Sequence, residues 1–469
     1  MKKLFLSTLF VSVSVFAIDL PELGSQFDNL LNANDEKKIV FQILGRVNQS
    51  DSVITDVEIN DYINKVGREL SLKGTDEKLA LKFFIVNDSS INAFAMLGGI
   101  IGIHTGLILA ANSESELLSV LSHEIAHITQ KHLLRLFDSQ ARNSFKSYIG
   151  LAIAILAARS SPQVASGALA ASSAAQVQNT LDFTRENEKE ADRVGMEILS
   201  KSGYDPKGFI DFFQTIEKFN EFSTGAAPSF LRTHPITGER ISDIQDRLKD
   251  FEYIQKSSNI EFYLIKAKLK AFLGDKQTII GHFEREIQDK NSLNEIASYY
   301  GLAYAYLRNN KADQAMQTFN LIEHVDHSMV YQLKANILTN NNRFQEAYIA
   351  YEEGLKKYPN NVSLITGAAN LMIALNQSKQ VIEFLKKYSE LYSNLPIIHE
   401  LLAKGYSALG LRLLEHESLS NAFYYRYNIQ EAIIQMDLAT KSSDGNFYEK
   451  SRVDFRLKEL KREAEILLN

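Results

Sequence analysis

The sequence has no cysteine. That excludes disulfide cross-links and every metal site built on thiolates, so any bound metal must be held by His, Asp or Glu. A basic excess is missing too. The net charge is −6 and the isoelectric point lies near 6.0, which argues against a nucleic-acid partner. No apolar run approaches the ~20 residues needed to span a bilayer. What remains is ordinary for globular chains: 45% apolar and 23% charged residues, in a chain of 469 that is too long for one typical core.

The N-terminus has the pattern of a cleaved secretory signal. Lys2 and Lys3 form a basic start, residues 4–16 are apolar, and Val15-Phe16-Ala17 places small residues where a signal peptidase reads. The expected division is a signal over residues 1–17 and a mature chain in the periplasm, with peripheral contact to a membrane left open. One domain is expected over 18–255 and a helical repeat domain over 256–469.

Residues 18–75 read as helical. Three short strand-forming stretches follow at 79–86, 91–96 and 100–104, so a small sheet is expected before residue 113. Ser113 with Glu116 forms a capping box opening a helix that the apolar stripe Leu117, Leu121, Ile125 and Ile128 extends to about Phe137. Residues 147–178 are rich in Ala, Ser, Leu and Ile. They fit either a buried helix pair or an apolar lid over a cleft.

From about residue 256 helices alternate with short polar turns. Ala335, Leu338, Ala347, Tyr351, Gly354 and Pro359 occupy the signature positions of one 34-residue tetratricopeptide repeat. Gly301, Tyr304, Ala315 and Phe319 mark a unit before it. Degenerate units follow over 369–396 and around Ala432, Met436 and Ala439. Each unit is a helix pair that buries its apolar face only by stacking on its neighbours.

The chemistry is concentrated in His123-Glu124-Ile125-Ala126-His127. Two imidazoles one helical turn apart face the same way and can grip one zinc ion, while Glu124 between them reaches an attacking water as general base. With ten His and 57 acidic residues in the chain, a chance match is rare. A third ligand close downstream is missing: residues 128–131 are Ile-Thr-Gln-Lys. On a continuous helix His132 would lie about 140° around from His127, which reads as surface or a secondary contact rather than a ligand. Glu188, in Arg185-Glu-Asn-Glu-Lys-Glu-Ala-Asp192, is the better third ligand, completing a His₂Glu site of one zinc ion per chain. Asp192 lies one turn on and can accept the free N–H of a zinc-bound His.

These segments, with Leu231-Arg-Thr-His234-Pro, resemble the HtpX and CAAX-protease family of gluzincins. The sequence departs from that pattern at Leu97, where some relatives carry proline. The resemblance implies a mainly α fold with a small β-sheet, a zincin-type metalloprotease domain followed by an α-solenoid of tetratricopeptide repeats. It implies His123, His127 and Glu188 as ligands and Glu124 as base. Asn92, Ala93 and Phe94 would lie on the edge strand that aligns substrate. His234 would be either a fourth, silencing ligand or an oxyanion stabiliser. With the secretory signal and the repeats, the resemblance further implies a cell-envelope endopeptidase. Its polypeptide substrates would be misassembled outer-membrane β-barrel proteins, and its repeats would dock on their assembly machinery. The alternative is a chaperone or scaffold with proteolysis held in check.

Overall fold

The computed structural model describes residues 33–75, 79–138, 185–222, 229–252, 254 and 257–468. The expected signal at 1–17 and the expected lid or helix pair at 147–178 lie outside them.

Helix α1 (Ala33–Asn48) and helix α2 (Val57–Gly74) precede a three-stranded sheet. The strands are β1 (Lys82–Val86), β2 (Ala93–Met96) and β3 (Ile100–His104), in the order β1-β3-β2. β1 runs parallel to β3 and β2 antiparallel to it, which leaves β2 at one edge. Side chains alternate across the strands as a pleat requires. Phe84, Val86, Met96 and Ile100 meet α1 on one face, whereas Phe83, Ile85, Ile101 and Ile103 join the main core on the other.

The main core on that second face is shared with α3 (Thr105–Ala110), α4 (Glu114–Thr129), α6 (Arg185–Lys201), α7 (Gly208–Phe222), α8 (Ser229–Thr233) and α9 (Gly238–Arg247), and the short α5 (His132–Asp138) follows α4. The Ser113 hydroxyl accepts from the Glu116 backbone N–H at 3.1 Å, as a cap should. The Glu116 carboxylate reaches one residue further back than a capping box predicts and accepts from the Asn112 N–H at 3.0 Å. The expected single helix from 113 to 137 is broken. Lys131 adopts a left-handed backbone with φ 53°, so α4 stops at Thr129 and α5 starts in a new direction.

The rest is a solenoid of helix pairs: α10 (Ile260–Leu273) with α11 (Ile279–Gln288), and α12 (Glu295–Arg308) with α13 (Ala312–Phe319). Then come α14 (Ser328–Asn340) with α15 (Phe344–Lys357), α16 (Val362–Ala374) with α17 (Ser378–Ser389), α18 (Pro396–Ala408) with α19 (Arg412–Tyr425), and α20 (Ile429–Lys441) with α21 (Phe447–Leu468). Asn310, Asn342, Asn376 and Gly410 turn four of these pairs with left-handed backbones of φ 55–73°. The last three are spaced 34 residues apart. Asn and Gly are the residues that accept this conformation most readily.

One apolar core continues from Ile54 of the peptidase part to Ile337 of the solenoid. The far end of the solenoid returns to the start of the chain. Phe41 of α1 belongs to a cluster with Met436, Leu457 and Leu467, and the Gln42 side-chain amide donates to the Leu467 carbonyl at 3.3 Å. Among the described residues no helix is long and apolar enough to cross a membrane.

Candidate metal centre

Helix α4 carries His123, Glu124 and His127, all fully buried, and α6 crosses it closely. Gly195 permits that approach: a Cβ there would lie 3.1 Å from the His123 backbone nitrogen. Glu188 and Asp192, one turn apart on α6, then face the two imidazoles. His234 follows α8 and is 2% exposed, with its ring packed on Phe230 at 4.9 Å between centroids.

One donor atom from each of His123, His127, Glu188 and His234 lies within 4.8 Å of the others. His123 Nε2 is 3.0 Å from His127 Nε2 and 3.3 Å from His234 Nδ1. Glu188 Oε1 lies 3.1 Å from His234 Nδ1 and 3.5 Å from His127 Nε2, and Oε2 lies 3.6 Å from His123 Nε2. A tetrahedron with bonds of ~2.0–2.1 Å has edges of about 3.3 Å, so the spacing suits a zinc-sized ion.

The outward ring atoms strengthen that fit. His123 Nδ1 lies 2.9 Å from Asp192 Oδ1, which makes Nδ1 the donor to a carboxylate. His127 Nδ1 lies 2.8 Å from His132 Nδ1, and His132 Nε2 lies 3.1 Å from Glu190 Oε2. One set of neutral tautomers satisfies both contacts. His132 donates from Nε2 to Glu190 and accepts at Nδ1 from His127, so His123 and His127 both turn Nε2 lone pairs toward each other. Two lone pairs and a carboxylate converging in a buried space repel unless a cation lies between them. With only its own side chains present the cluster takes that charge as a proton. Burial pushes His123 toward neutrality, but Asp192 and Glu188 outweigh it and hold it up at about 9. Burial and the charge of His123 push His127 well below its usual value.

Arg240 on α9 was not evident in the sequence. Its guanidinium takes both oxygens of Asp192, at 2.7 and 2.8 Å, and Glu188 Oε2 at 2.9 Å. Burial works against these carboxylates ionising, yet the neighbouring cations outweigh it and both titrate below the ordinary range. The only local sign is Thr237, three residues earlier, whose hydroxyl caps α9 at the Arg240 N–H. His132 is buried rather than on the surface, and it stands outside the four-donor cluster.

Glu124 sits between the cluster and the sheet edge. Its Oε2 accepts from the Ala95 backbone N–H of β2 at 2.8 Å, while the buried Oε1 makes no hydrogen bond and lies 3.5 Å from His234 Nε2. Asn92, at the start of the edge segment, is buried with its side-chain oxygen unpartnered. Ala93 and Phe94 follow on β2, and Phe94 packs edge-on against His104.

A buried His/Glu donor cluster with a carboxylate beside it, next to a sheet edge, defines a metallopeptidase. Residues 55–248 match Peptidase family M48, and the chain carries a peptidase domain of that family. It is 28% identical over 446 residues to the β-barrel assembly-enhancing protease of Escherichia coli K12, covering 94% of this chain and 91% of that one. A putative β-barrel assembly-enhancing protease of Vibrio cholerae is 33% identical over 300 residues, 64% of this chain and 62% of that one. The mitochondrial metalloendopeptidase OMA1 of Schizosaccharomyces pombe is 26% identical over 198 residues, 42% of this chain and 56% of its own.

Proposed function

We propose that the chain is a zinc endopeptidase of the periplasm that degrades misassembled outer-membrane β-barrel proteins or assists their assembly. The observation that carries the reading is the convergence of His123, His127, Glu188 and His234 on one buried point beside the Glu124 carboxylate. In this reading His123, His127 and Glu188 hold the ion, and Asp192 orients His123. A zinc ion held there would polarise the scissile carbonyl and acidify the attacking water. Glu124 Oε1 is the base: it takes a proton from that water and passes it to the leaving amine nitrogen. Asn92, Ala93 and Phe94 at the sheet edge pair with an extended substrate backbone, which tolerates many side chains. Residues 18–255 form the peptidase unit. The helix pairs of 256–469 are tetratricopeptide repeats that dock the enzyme on the assembly machinery.

Glu124→Gln tests the reading. Cleavage of an unfolded β-barrel protein should fall by about 10²–10⁴-fold, while zinc content by atomic emission stays near one per chain. Cleavage that survives the substitution would sink it.

A second reading, a chaperone with repressed proteolysis, is favoured by the position of His234. As a fourth ligand, with Nε2 toward Glu124, it fills the place a substrate oxygen needs. His234→Ala separates the roles. Faster cleavage marks a silencing ligand, and slower cleavage marks an oxyanion stabiliser. If Glu124→Gln restores the outer-membrane barrier as well as the wild type does, proteolysis is secondary.

A further inference from the structure

The last helix of the solenoid, α21, is apolar on two sides. Val453, Leu457, Leu460 and Leu467 are buried, in one cluster with Met436 of α20 and Phe41 of α1. On the opposite side Tyr448, Phe455 and Arg462 recur every seven residues and Ile466 follows four later, so the four share one stripe. Tyr448 is 81% exposed, Phe455 63% and Ile466 57%. Phe447, beside Tyr448, is 78% exposed, and the two rings meet edge-on at 5.9 Å. A helix that is apolar all round is normally covered all round. The end of a solenoid carries the contrary requirement, a polar outer face that keeps the stack soluble. Nothing among the described residues covers this stripe.

The patch continues onto the neighbouring turn. The Leu413 backbone N–H donates to the Asp444 carboxylate at 3.2 Å, which sets the α18–α19 turn beside the start of α21. Leu409 and Leu411 on that turn are exposed, whereas Asn341 and Arg343 occupy the same places two repeats earlier. This edge of the solenoid thus changes from polar to apolar at its far end.

The charges beside the stripe are mostly positive. Five cations of α21 are exposed, Arg452, Lys458, Lys461 and Arg462 among them, against two exposed carboxylates, Asp454 and Glu465. In the ion pairs Arg452–Glu417 and Arg412–Glu415 the cation points to solvent and the carboxylate is mostly covered. The whole chain carries a net charge of −6, so this cationic rim runs against its average. The occupant that complements it is anionic. Its shape is set by the stripe, whose side chains stand clear of their neighbours instead of lining a groove. A raised row of aromatic and aliphatic groups rimmed by long cationic side chains suits a soft, flat, negatively charged surface.

We propose that the outer face of α21, extended by the α18–α19 turn, rests on an anionic phospholipid bilayer. α21 lies in the plane of the interface and does not cross it, in keeping with the absence of a spanning helix among the described residues. Tyr448, Phe455 and Ile466 enter the boundary between headgroups and acyl chains, and Arg452, Lys458 and Arg462 donate to lipid phosphates. This anchor is independent of how the metal centre works.

The test uses the full chain with its metal and extruded vesicles of equal parts phosphatidylcholine and phosphatidylglycerol, with binding read by flotation. Binding should be at least tenfold weaker to pure phosphatidylcholine. It should also weaken at least tenfold between about 0.1 M and about 1 M sodium chloride, where the screening length falls from ~10 Å to ~3 Å. Two double variants, Tyr448→Ser with Phe455→Ser and Lys458→Glu with Arg462→Glu, should each weaken binding at least tenfold, with thermal melts showing that both fold. The chain has no tryptophan, so Tyr448→Trp reports from the stripe alone. Its emission should shift to the blue on the anionic vesicles and be quenched by brominated lipid, whereas Leu391→Trp, at the exposed α17–α18 turn, should show neither. No vesicle binding, equal binding to neutral and anionic vesicles, or binding unmoved by both double variants overturns the proposal. So does a dimer that the Tyr448 and Phe455 substitutions abolish while vesicles bind nothing, since the stripe would then join two copies of the chain.

Discussion

His132 reaches His127 because the backbone turns at Lys131. The 100° rule carries a side chain around a continuous helix, and it fails where the helix ends. The result is a chain of contacts from Arg135 through Glu190 and His132 to His127, with every proton direction fixed by the last N–H. Partners of this kind orient a metal-binding imidazole and typically contribute 10–100-fold to affinity. His132→Phe should therefore weaken zinc binding by about that range in competition with a chromogenic chelator, with helical content unchanged. An unchanged affinity would reduce His132 to packing. His104 gives a pH signature away from the metal centre. Burial pushes its imidazole down to about 4, against a hydrogen bond to the Ser90 backbone that favours the charged ring, with Asp88 Oδ2 3.7 Å away. The unfolded chain, with its imidazole near 6.5, takes up the proton first as pH falls. Stability should decline from about pH 6.5 to about pH 4, and this group should add nothing further below that. Urea midpoints across the range check this, and His104→Asn should flatten that part of the profile. The facing of the His123–His127 pair was legible because spacing along one helix fixes it, whereas Glu188, on a second helix, was picked out by its acidic segment and by the family resemblance. Arg240 and His132 were not. Each joins the site through a feature that periodicity does not encode: a separate helix 48 residues beyond Asp192, and a single left-handed residue.

At the scale of elements, the three strands form where β-forming residues cluster, and the helix pairs form where the 34-residue pattern places them. The left-handed turn residues were not singled out, because polar turn composition alone does not reveal which residue takes positive φ. Asn342 is a direct test. Asn342→Ala should lower stability by about 1–2 kcal/mol, the usual cost of a Cβ in this conformation. Asn342→Gly should stay within about 0.5 kcal/mol of the wild type, since glycine removes that strain and adds unfolded-state entropy. Denaturant midpoints distinguish the two, and equal losses would point to a lost side-chain interaction instead. The capping contact at Ser113 was legible from residue types. The one-residue displacement of the Glu116 contact depends on how the chain enters α4, which those residue types do not specify.

For the whole molecule, the continuous core ties the solenoid to the peptidase fold, and the contact between α21 and α1 ties the end of the chain to its beginning. A chain ending at Ser442 would lose α21 and leave Phe41 and Met436 without the Leu457 and Leu467 side of their cluster. Amide exchange in residues 33–48 should then accelerate at least tenfold, while α4 keeps its protection in the main core. Equal protection of α1 would mean that the sheet alone holds it. No local pattern announced this closure, because it depends on the accumulated curvature of six helix pairs. It also sets a timetable. A chain is made from its N-terminus, and the earliest segments usually settle first. Here the helix that covers one face of the sheet meets a neighbour 425 residues further along the chain, and the two pair only after that stretch has been made. Until α21 is made, Phe41 lacks the Leu457 and Leu467 side of its cluster, so a helix made early is among the last parts of the molecule to be held in place.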